Sequence, residues 1–396
     1  MSKSPMFKSS KPKILIFAPR EEPPETINAL EGMGCEVVFG DRDWQLPRTT
    51  QEDAVVEAAR DAVALMGTSI RHTPISRRIM QASQRLRVVA KYTVGVDDVD
   101  TEAATDLGVM VCHAPTESNC FGVAETTVAF MLSLLKKVAE RDADVRAGKW
   151  RTPDNFAYYV GARASDGFPG QTIGLVGLGR IGTRVAQLLA PWRPRLIAYD
   201  PYVPPAHFLM HGVTPVDYET LLRESDVLSF HVVLTKETRY MFGENELELM
   251  KPNAVVLNTA RGKVLDEKAL ACAIDEGRIR GAAIDAFEEE PLPADSPLRK
   301  LGDRVLLSPH SASYIPREGS CGRAWPGPRA RWSPRSMVAF RTMSTTGTSF
   351  RAGRSASAAP ARPAHRAVGT AHFGQNRRCF RLPSARANRS IFVKKQ

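Results

Sequence analysis

Three polar side chains follow apolar runs in the second half of the chain, and their types suit an oxidation or reduction site. Arg261 comes after "AVVLNTA", Glu290 after "GAAIDAFEE" and His310 after "RVLLSP". A histidine titrates in the range needed to move a proton, and a carboxylate beside it orients the imidazole and favours its protonated form. A guanidinium grips a substrate carboxylate in a fork. Each residue alone is as readily a solvated charge or a strand terminator, so the interpretation rests on their joint placement.

A glycine-rich turn lies upstream of these residues, in "TIGLVGLGRIGTRVAQLLA". Gly177, Gly179 and Gly182 form a G-x-G-x-x-G pattern directly after a predicted strand and at the start of a predicted helix. In that context the glycines permit a tight turn, close approach of a pyrophosphate, and close packing of helix on strand. The free N–H groups at Arg180 and Ile181 then hold the phosphates, so the pattern predicts a dinucleotide cofactor.

The next predicted strand, "RLIAYD", ends in an acidic residue, Asp200. A carboxylate at this point accepts hydrogen bonds from a ribose diol and repels a 2′-phosphate, which favours NAD over NADP. Hydride transfer to or from NAD needs a partner for the accompanying proton, and His310 has the right chemistry for that task.

The elements that must position these residues are short β-branched runs that alternate with helical patterns. The runs "KILIFAP", "CEVVFG", "AVALMG", "RVVAKY" and "VMVCHAP" form a first series, and six more, from "TIGLVG" to "RVLLSPH", form a second. Such alternation predicts an α/β protein with two doubly wound parallel sheets and a ligand cleft between them. The three polar residues would then emerge at the carboxyl edge of the second sheet. The segment "GVAETTVAFMLSLLKKVAERDADVRAGKW" is predicted to be one long helix.

Charge is divided unevenly along the chain of 396 residues. From Gly319 to Gln396 there are 16 basic residues and no acidic one, whereas the preceding body has 38 basic and 43 acidic residues. A mildly acidic body argues against an enzyme of nucleic acids, and specific nucleic-acid binding is not expected. The six cysteines lie far apart with no metal-ligand spacing, and the apolar stretch near the start is only "ILIF". We therefore expect a cytoplasmic chain with reduced thiols and neither a bound metal nor a membrane segment.

The sequence resembles the D-isomer-specific 2-hydroxyacid dehydrogenase family, which includes the phosphoglycerate dehydrogenases. The matching stretches are "YTVGVDDVD", "NCFGVAETTVAFML", "GLVGLGRIG", "MKPNAVVLNTARGKVLDEKALACAI", "GAAIDAFEEEPLP" and "VLLSPHSA". They span residues 13 to 316 in the family's order. The resemblance implies an NAD-dependent enzyme that interconverts a D-2-hydroxy acid and its 2-oxo acid. It also implies a homodimer, with the long helix from Gly122 at the dimer interface.

The resemblance assigns roles to the residues of the chemical site. It implies that Arg261 binds the 2-oxo acid and activates its carbonyl, that His310 donates and accepts the proton, and that Glu290 tunes His310. The backbone of Val94 and Gly95 is implied to face the substrate carboxylate.

The resemblance also implies contacts with the cofactor. Asp285 would face the carboxamide of the nicotinamide, and Thr127 and Thr235 would lie along the cofactor. The sequence departs from the family at two nearby places. Thr93 stands where the family usually has the first glycine of a G-x-G pair, and Val233 replaces the usual proline of a cofactor-contacting loop.

The expected domain organisation has four segments. Residues 1–112 are expected to form a flavodoxin-like substrate domain and residues 113–308 an NAD domain of the Rossmann type. Residues 309–318 are expected to return towards the substrate domain. Residues 319–396 are expected to be a disordered basic tail, because they lack the apolar residues needed to build a core.

The tail has three interpretations. It is a basic segment that binds nucleic acid or an acidic surface, an inert extension, or the product of a frame shift near Arg317. Members of the family normally continue after "PHSASY" into a helix, whereas "EGSCGRAWPGPRARW" has no amphipathic pattern. This break and the absence of acidic residues favour the frame shift, which would leave the substrate domain incomplete and catalysis impaired. The other reading frames of the gene test this interpretation.

One alternative function uses the same fold. An NAD(H)-sensing interaction protein, similar to the C-terminal-binding-protein corepressors of this family, would keep the same three catalytic residues. Turnover of 2-oxo acids with NADH discriminates the two. Arg71 is a candidate contact for a substrate phosphate, although a surface cation is the simpler interpretation.

Overall fold

The computed structural model describes residues 11–17, 24–41, 50–70, 72–115 and 117–313. Within these ranges the chain forms two parallel sheets with helices packed on them, which confirms the predicted α/β fold class. The predicted disordered tail and Arg71 lie outside the described residues, as does the return segment beyond residue 313.

The first sheet is built from the first series of apolar runs. Its strands are β1 (Lys13–Phe17), β2 (Glu36–Phe39), β3 (Ala62–Gly67), β4 (Val88–Lys91) and β5 (Met110–Cys112). Its helices are α1 (Pro24–Gly32), α2 (Glu52–Ala59), α3 (Arg77–Gln81) and α4 (Thr101–Asp106). All neighbouring strands are parallel in the order β2-β1-β3-β4-β5, so the order reverses between β1 and β3. Leu15, Leu65 and Val89 of the sheet pack against Val55 and Ile79 of the helices in one core.

Two helices follow the first sheet, where the sequence predicted one. They are α5 (Glu117–Lys136) and α6 (Val138–Arg146). The prediction of a single helix is wrong because Lys137 has a φ of +53°, in the left-handed region, which interrupts the right-handed helix. α5 buries seven side chains, whereas α6 buries none, so the two parts of the segment have different surroundings.

The second sheet is built from the second series of runs. Its strands are β6 (Thr172–Val176), β7 (Arg195–Tyr199), β8 (Thr214–Pro215), β9 (Val227–Phe230), β10 (Val255–Asn258), β11 (Gly281–Ile284) and β12 (Val305–Leu307). Its helices are α7 (Arg180–Leu189), α8 (Pro205–Met210), α9 (Tyr218–Glu224), α10 (Glu244–Leu249) and α11 (Glu267–Asp275). Short 3₁₀ turns lie at Pro153–Asn155, Ala190–Trp192, Gly262–Val264, Pro297–Lys300 and Gly302–Arg304. The strands pair in parallel in the order β12-β11-β10-β9-β6-β7-β8.

Every apolar run predicted as a strand is a strand, and β8 was not predicted. β8 has only two residues, both exposed, so it lacks the apolar pattern that marks the others. Strands β6, β9, β10 and β11 are buried along their whole length because helices cover both faces of the sheet. The order of strands reverses between β6 and β9, and a doubly wound sheet binds its ligand at such a point.

By length and composition alone, helix α5 could cross a membrane. The core helix of a protein without a membrane segment passes the same test, and α5 packs on α7, β10 and β11. Its buried side chains, such as Met131 and Leu135, belong to the core on one face of the second sheet. We therefore assign α5 to the fold of the second sheet.

Candidate active site

His310 and Glu290 meet at the carboxyl edge of the second sheet. His310 follows β12 and Glu290 follows β11, and these two strands are neighbours. The imidazole Nδ1 lies 2.8 Å from one carboxylate oxygen of Glu290 and 2.9 Å from the other. An ionised carboxylate only accepts hydrogen bonds, so Nδ1 carries the proton and donates it. The Nε2 atom is then left to exchange a proton with a substrate.

The surroundings of Glu290 keep its carboxyl group ionised beside His310. Burial by itself raises the pKa of the Glu290 carboxyl, but the hydrogen bond from His310 and the charge of the imidazole lower it more. The N–H of Phe287 donates to the same carboxylate at 3.1 Å, and the charge of Arg261 acts in the same direction. The net effect is a pKa below the ordinary value, so Glu290 is ionised at neutral pH.

The turn that carries His310 is held by a buried carboxylate. His310 has a φ of +52°, a left-handed conformation that a side chain larger than glycine rarely adopts. Asp285 is only 2% exposed, and its two oxygens accept the N–H groups of Ser311 at 2.9 Å and Ala312 at 3.1 Å. Thr126 of α5 donates its hydroxyl to the carbonyl of Ala312 at 3.0 Å. These contacts offset the local strain and fix the direction of the imidazole.

Arg261 reaches the same edge from β10. Asn258, the last residue of that strand, is fully buried and shapes the turn. Its side-chain amide donates to the carbonyl of Arg261 at 3.0 Å, and its side-chain oxygen accepts the N–H of Ala260 at 3.1 Å. A Cβ atom on Gly262 would lie 1.8 Å from the carbonyl carbon of Phe287, so only glycine lets this turn pack on the segment that leads to Glu290.

The guanidinium of Arg261 crosses to the first sheet. Its Nε donates to the carboxylate of Asp97, and its Nη1 donates to the carbonyl of Ala260 at 2.7 Å. A Cβ atom on Gly95 would lie 1.8 Å from Nη2, which places that nitrogen directly against the Gly95 backbone. Arg261 is therefore held next to the predicted substrate loop, with Nη2 facing it.

The loop that holds Val94 and Gly95 is tied down at its carbonyl groups. His113 places Nδ1 2.9 Å from the carbonyl of Val94, and Thr93 donates its hydroxyl to the carbonyl of Gly95 at 3.0 Å. The N–H of Ala114 donates to the carbonyl of Thr93 at 3.2 Å. Thr93, which stands in the place of a usual glycine, thus shapes the loop through its hydroxyl.

The glycine-rich turn has the geometry of a phosphate cradle. Gly177 has a φ of +94°, which favours glycine, and a Cβ atom on Gly182 would lie 2.2 Å from the carbonyl oxygen of Gly177. By contrast, a Cβ atom on Gly179 would meet no heavy atom within 4 Å among the described residues, so the space above it is open. The first N–H groups of α7, at Arg180 and Ile181, lack helical partners by geometry. The turn fits a pyrophosphate.

Asp200 lies beside this turn, at the end of β7. One of its oxygens accepts the N–H of Leu178 at 2.8 Å, and the other accepts the N–H of Tyr202 at 3.0 Å. Each carboxylate oxygen keeps a second lone pair, so both can still accept from a ribose diol. The residues of the turn and Asp200 together suit a dinucleotide.

The other residues predicted along the cofactor have internal partners. Thr127 is buried, and its hydroxyl contacts the carbonyl of Val123 at 2.8 Å and the hydroxyl of Thr259 at 2.9 Å. The hydroxyl of Thr235 lies 3.2 Å from that of Thr238, at the surface. Asp285, as described above, accepts backbone N–H groups of the His310 turn. All three lie at or near the carboxyl side of the second sheet, but their side chains are engaged within the protein.

Several residues that shape this site were not predicted from the sequence, among them Asp97, Asn258 and His231. Asp97 lies within "YTVGVDDVD", one of the stretches that resemble the family. Its contact with Arg261 joins segments that are distant in the chain, so no local sequence pattern predicts it. Asn258 is the last residue of an apolar run, and the sequence predicted this run only as a strand. His231 follows β9 beneath the glycine-rich turn, where burial lowers its pKa to about 3 and keeps the imidazole neutral. Its Nε2 lies 3.0 Å from the hydroxyl of Ser229.

The fold and site define a class of protein. The second sheet has a turn suited to a dinucleotide, and its carboxyl edge carries a histidine–carboxylate pair and an arginine. This combination is typical of a nicotinamide-dependent oxidoreductase that acts on carboxylic acids.

Comparison with known proteins identifies the family. The model of the D-isomer specific 2-hydroxyacid dehydrogenase, NAD binding domain, matches residues 128–312. The glyoxylate reductase of Korarchaeum cryptofilum is 38% identical over 303 residues, which cover 75% of this chain and 86% of that protein. The D-3-phosphoglycerate dehydrogenase of Methanocaldococcus jannaschii is 37% identical, over 76% of this chain and 53% of that protein. The chain belongs to the D-isomer specific 2-hydroxyacid dehydrogenase family.

A solved structure agrees with this assignment. The D-lactate dehydrogenase of Aquifex aeolicus, solved with NAD and lactic acid, superposes with a TM-score of 0.64 at 26% identity, over 76% of this chain and 89% of that one. The chain is an NAD-dependent oxidoreductase that interconverts a D-2-hydroxy acid and its 2-oxo acid, as the sequence predicted. The alternative of an NAD(H)-sensing interaction protein is not favoured by these relatives.

Proposed function

We propose that the chain reduces a small 2-oxo acid with a single carboxylate, such as glyoxylate, and oxidises the corresponding 2-hydroxy acid in the reverse direction. The observation that carries this proposal is the arrangement of the His310–Glu290 pair and Arg261 at one sheet edge, with Nη2 of Arg261 against Gly95. A proton donor and a carboxylate anchor are the two groups that reduction of a 2-oxo acid requires.

Arg261 is proposed to hold the substrate and polarise its carbonyl. Asp97 and the carbonyl of Ala260 occupy Nε and Nη1. This leaves Nη2 for the substrate, next to the Val94–Gly95 backbone that is proposed to face the substrate carboxylate. A guanidinium fixed on two sides keeps its third nitrogen in one direction, which favours a productive orientation of the 2-oxo group.

His310 is proposed to supply the proton. During reduction the Nε2–H of the imidazolium donates to the developing alkoxide, and in the oxidation Nε2 accepts the proton of the hydroxyl. Glu290 holds Nδ1 with both oxygens and stabilises the charged imidazolium. When bound, NAD supplies or accepts the hydride at the nicotinamide. The glycine-rich turn, Arg180, Ile181 and Asp200 are proposed to hold it.

The charges around the substrate loop favour a small substrate. Lys91 lies at the end of β4, fully buried, with Nζ 2.6 Å from the carboxylate of Asp98. Burial lowers the pKa of Lys91, although the carboxylate of Asp98 acts against this. With Lys91 paired to Asp98 and Arg261 to Asp97, the part of the loop that the structure describes offers no unpaired cation to a substrate phosphate. We therefore expect a phosphorylated acid to bind less well than a small acid with a single carboxylate.

The wider organisation is proposed from the same family. We propose that the first sheet forms the substrate domain and the second the NAD domain, and that the enzyme acts as a cytoplasmic homodimer. Exposed apolar side chains on α6 and the loop after it, including Val145, Trp150 and Phe156, support a contact with a second copy. Light scattering of the purified chain tests the dimer, and a monomer at micromolar concentration would contradict it.

A substrate panel tests the proposed activity. The full chain is assayed with NADH against glyoxylate, pyruvate and phosphohydroxypyruvate, each over a range of concentrations. We expect the highest kcat/KM with glyoxylate and the lowest with the phosphorylated acid. A preference for the phosphorylated acid would overturn the proposed substrate class. Absence of turnover with all three would overturn the proposed activity of this chain.

A further inference from the structure

Glu267 and Glu288 form two reciprocal hydrogen bonds, each from the backbone N–H of one residue to the side-chain carboxylate of the other. The proposed mechanism does not use this contact. The N–H of Glu267, the first residue of α11, donates to the carboxylate of Glu288 at 2.9 Å. The N–H of Glu288 donates to the carboxylate of Glu267 at 2.5 Å. The hydroxyl of Tyr240 donates to the other oxygen of Glu288 at 2.9 Å. This reciprocal pair joins the start of α11 to the segment after β11.

Both joined segments carry catalytic groups. The turn from Arg261 leads directly into α11, and the segment of Glu288 leads directly to Glu290. The two segments also touch at Gly262, where a Cβ atom would collide with the backbone of Phe287. The spacing between the anchor of the substrate and the partner of His310 therefore depends on the Glu267–Glu288 contact.

The Glu267 carboxyl is buried among other acids. The residue is 8% exposed, and burial is the largest influence on its carboxyl, raising the pKa of Glu267 to about 7. The N–H of Glu288 acts against this rise, whereas the charges of Glu288, Glu290 and Asp266 add to it. In the ranges that the structure describes, Glu267 has no ion pair with a cation. Its charge state near neutrality is thus coupled to that of the catalytic carboxylate.

We propose that Glu267 is a positioning residue that braces the Glu290 segment through Glu288, and that its ionisation shifts the protonation of the His310–Glu290 pair. This inference rests on the proposed role of His310 as proton donor. Glu267 acts through Glu288 and Glu290, and among the described residues it forms no hydrogen bond with His310 or Arg261.

The direction of the effect follows from the charges. Above neutral pH, an ionised Glu267 adds a negative charge beside Glu290, which favours the protonated imidazolium of His310. The wild-type enzyme then keeps its proton donor to a higher pH than an enzyme with a neutral residue at this position. Below about pH 6, Glu267 is protonated, and the neutral variant and the wild type should behave alike.

The variant Glu267→Gln tests the coupling, because glutamine keeps the oxygen that accepts the N–H of Glu288. The measured quantity is kcat/KM for reduction of the 2-oxo acid with NADH, from pH 5 to pH 10. We expect the alkaline limb of the profile to move to lower pH by about half a unit, the size of a moderate charge–charge coupling. Glu289→Gln is the matched control, since Glu289 is exposed in the same segment, and its profile should coincide with the wild type. Equal profiles for wild type and Glu267→Gln would overturn the proposal.

A second measurement does not depend on catalysis. The pKa of Glu267 is raised in the folded protein from 4.5 to about 7, so its stabilising contribution is complete below pH 4.5 and is lost as the pH rises to 7. Between pH 5 and 7.5, the Tm of the wild type should therefore fall relative to that of Glu267→Gln. A constant difference in Tm would overturn the titration of Glu267. If no 2-oxo acid is reduced, this measurement still stands and separates failure of the inference from failure of the proposed function.

Glu288→Gln provides the test if Glu267→Gln does not fold. Its amide oxygen can still accept the N–H of Glu267, and its amide nitrogen can donate to the hydroxyl of Tyr240 in place of the lost acceptor. The neighbouring charge is removed, so the pKa of Glu267 should fall towards its ordinary value. We expect the decline in Tm that Glu267 causes to be smaller in Glu288→Gln and to end at a lower pH than in the wild type. A decline of the same size that ends at the same pH as in the wild type would overturn the coupling between the two carboxyl groups.

Discussion

The carboxyl edges of the two sheets differ in how deeply the side chains that hold their turns are buried. At the edge of the second sheet, Asn258 and Asp285 are buried and hold the backbone turns of Arg261 and His310 through hydrogen bonds on both sides of each side chain. At the edge of the first sheet, the loop around Gly95 is held by His113, which is exposed, and by Asp97, which is 31% exposed. Buried side chains therefore hold the turns at the second edge, whereas more exposed side chains hold the loop at the first edge.

Under the proposed mechanism, this difference suits the two edges to separate tasks. Groups that move a proton and orient a carbonyl must be placed within a fraction of an ångström, which buried and mutually satisfied hydrogen bonds achieve. A loop that meets the variable part of a substrate can be more exposed and can depart from the family, as Thr93 does. We expect changes at the second edge to affect turnover or stability, and changes at the first edge to affect affinity and selectivity.

The largest effect is expected at the second edge, from His310→Ala. Loss of a general acid should lower kcat for 2-oxo acid reduction by about 10² to 10⁴-fold. The affinity for NADH should remain that of the wild type and the Tm should change little, because the imidazole is partly exposed and Glu290 is the side chain that it hydrogen-bonds among the described residues. Steady-state kinetics measure the change. Unchanged turnover would remove His310 from the mechanism.

The packing of the Arg261 turn is tested by Gly262→Ala. The added methyl group would overlap the backbone of Phe287, so we expect a loss of roughly 1 to 3 kcal/mol in the free energy of unfolding, and lower turnover. Gly179→Ala is the matched control, since its methyl group meets open space in the cofactor cradle. Urea denaturation should show the control to be as stable as the wild type, while its affinity for NADH is reduced. Equal stability of the two variants would contradict the packing described for Gly262.

The link between the edges is tested by Asp97→Asn. Without the carboxylate, Arg261 loses a charged partner that orients it, and we expect kcat/KM for the 2-oxo acid to fall roughly tenfold. The control is Glu102→Gln, which breaks a second described ion pair between the two halves of the fold, formed by Glu102 of α4 with Lys236. Both side chains of that pair are exposed, so its removal should leave the kinetics unchanged. If the two variants behave alike, Asp97 does not position Arg261.

The smallest effect is expected at the cofactor cradle, from Asp200→Asn. The amide oxygen can still accept the N–H of Leu178, so the turn should keep its shape. Loss of the negative charge should weaken the discrimination against NADPH, because less repulsion acts on the 2′-phosphate. The ratio of kcat/KM with NADH to that with NADPH measures this selectivity. An unchanged ratio would remove Asp200 from the choice of cofactor.

Most of the fold could be predicted from the sequence because buried parallel strands leave a local signal. Continuous apolar runs such as "TIGLVG" and "AVVLNT" became β6 and β10, and the glycine-rich turn between a strand and a helix was visible in the chain. Two features were missed for physical reasons. β8 is short and exposed, so it has no apolar run. The break between α5 and α6 depends on the left-handed backbone conformation of Lys137, which the residue types do not predict.

The sequence by itself determined the two sheets and the glycine-rich turn and suggested Arg261, Glu290 and His310 for the site, because strand periodicity and motif spacing are local properties. Only the tertiary structure decided how these residues are held. The contacts of Asp97 with Arg261, of Asp285 with the His310 turn and of Glu267 with Glu288 join segments that are distant in the chain. Such contacts follow from the packing of strands and turns against one another, which no local pattern of residues encodes.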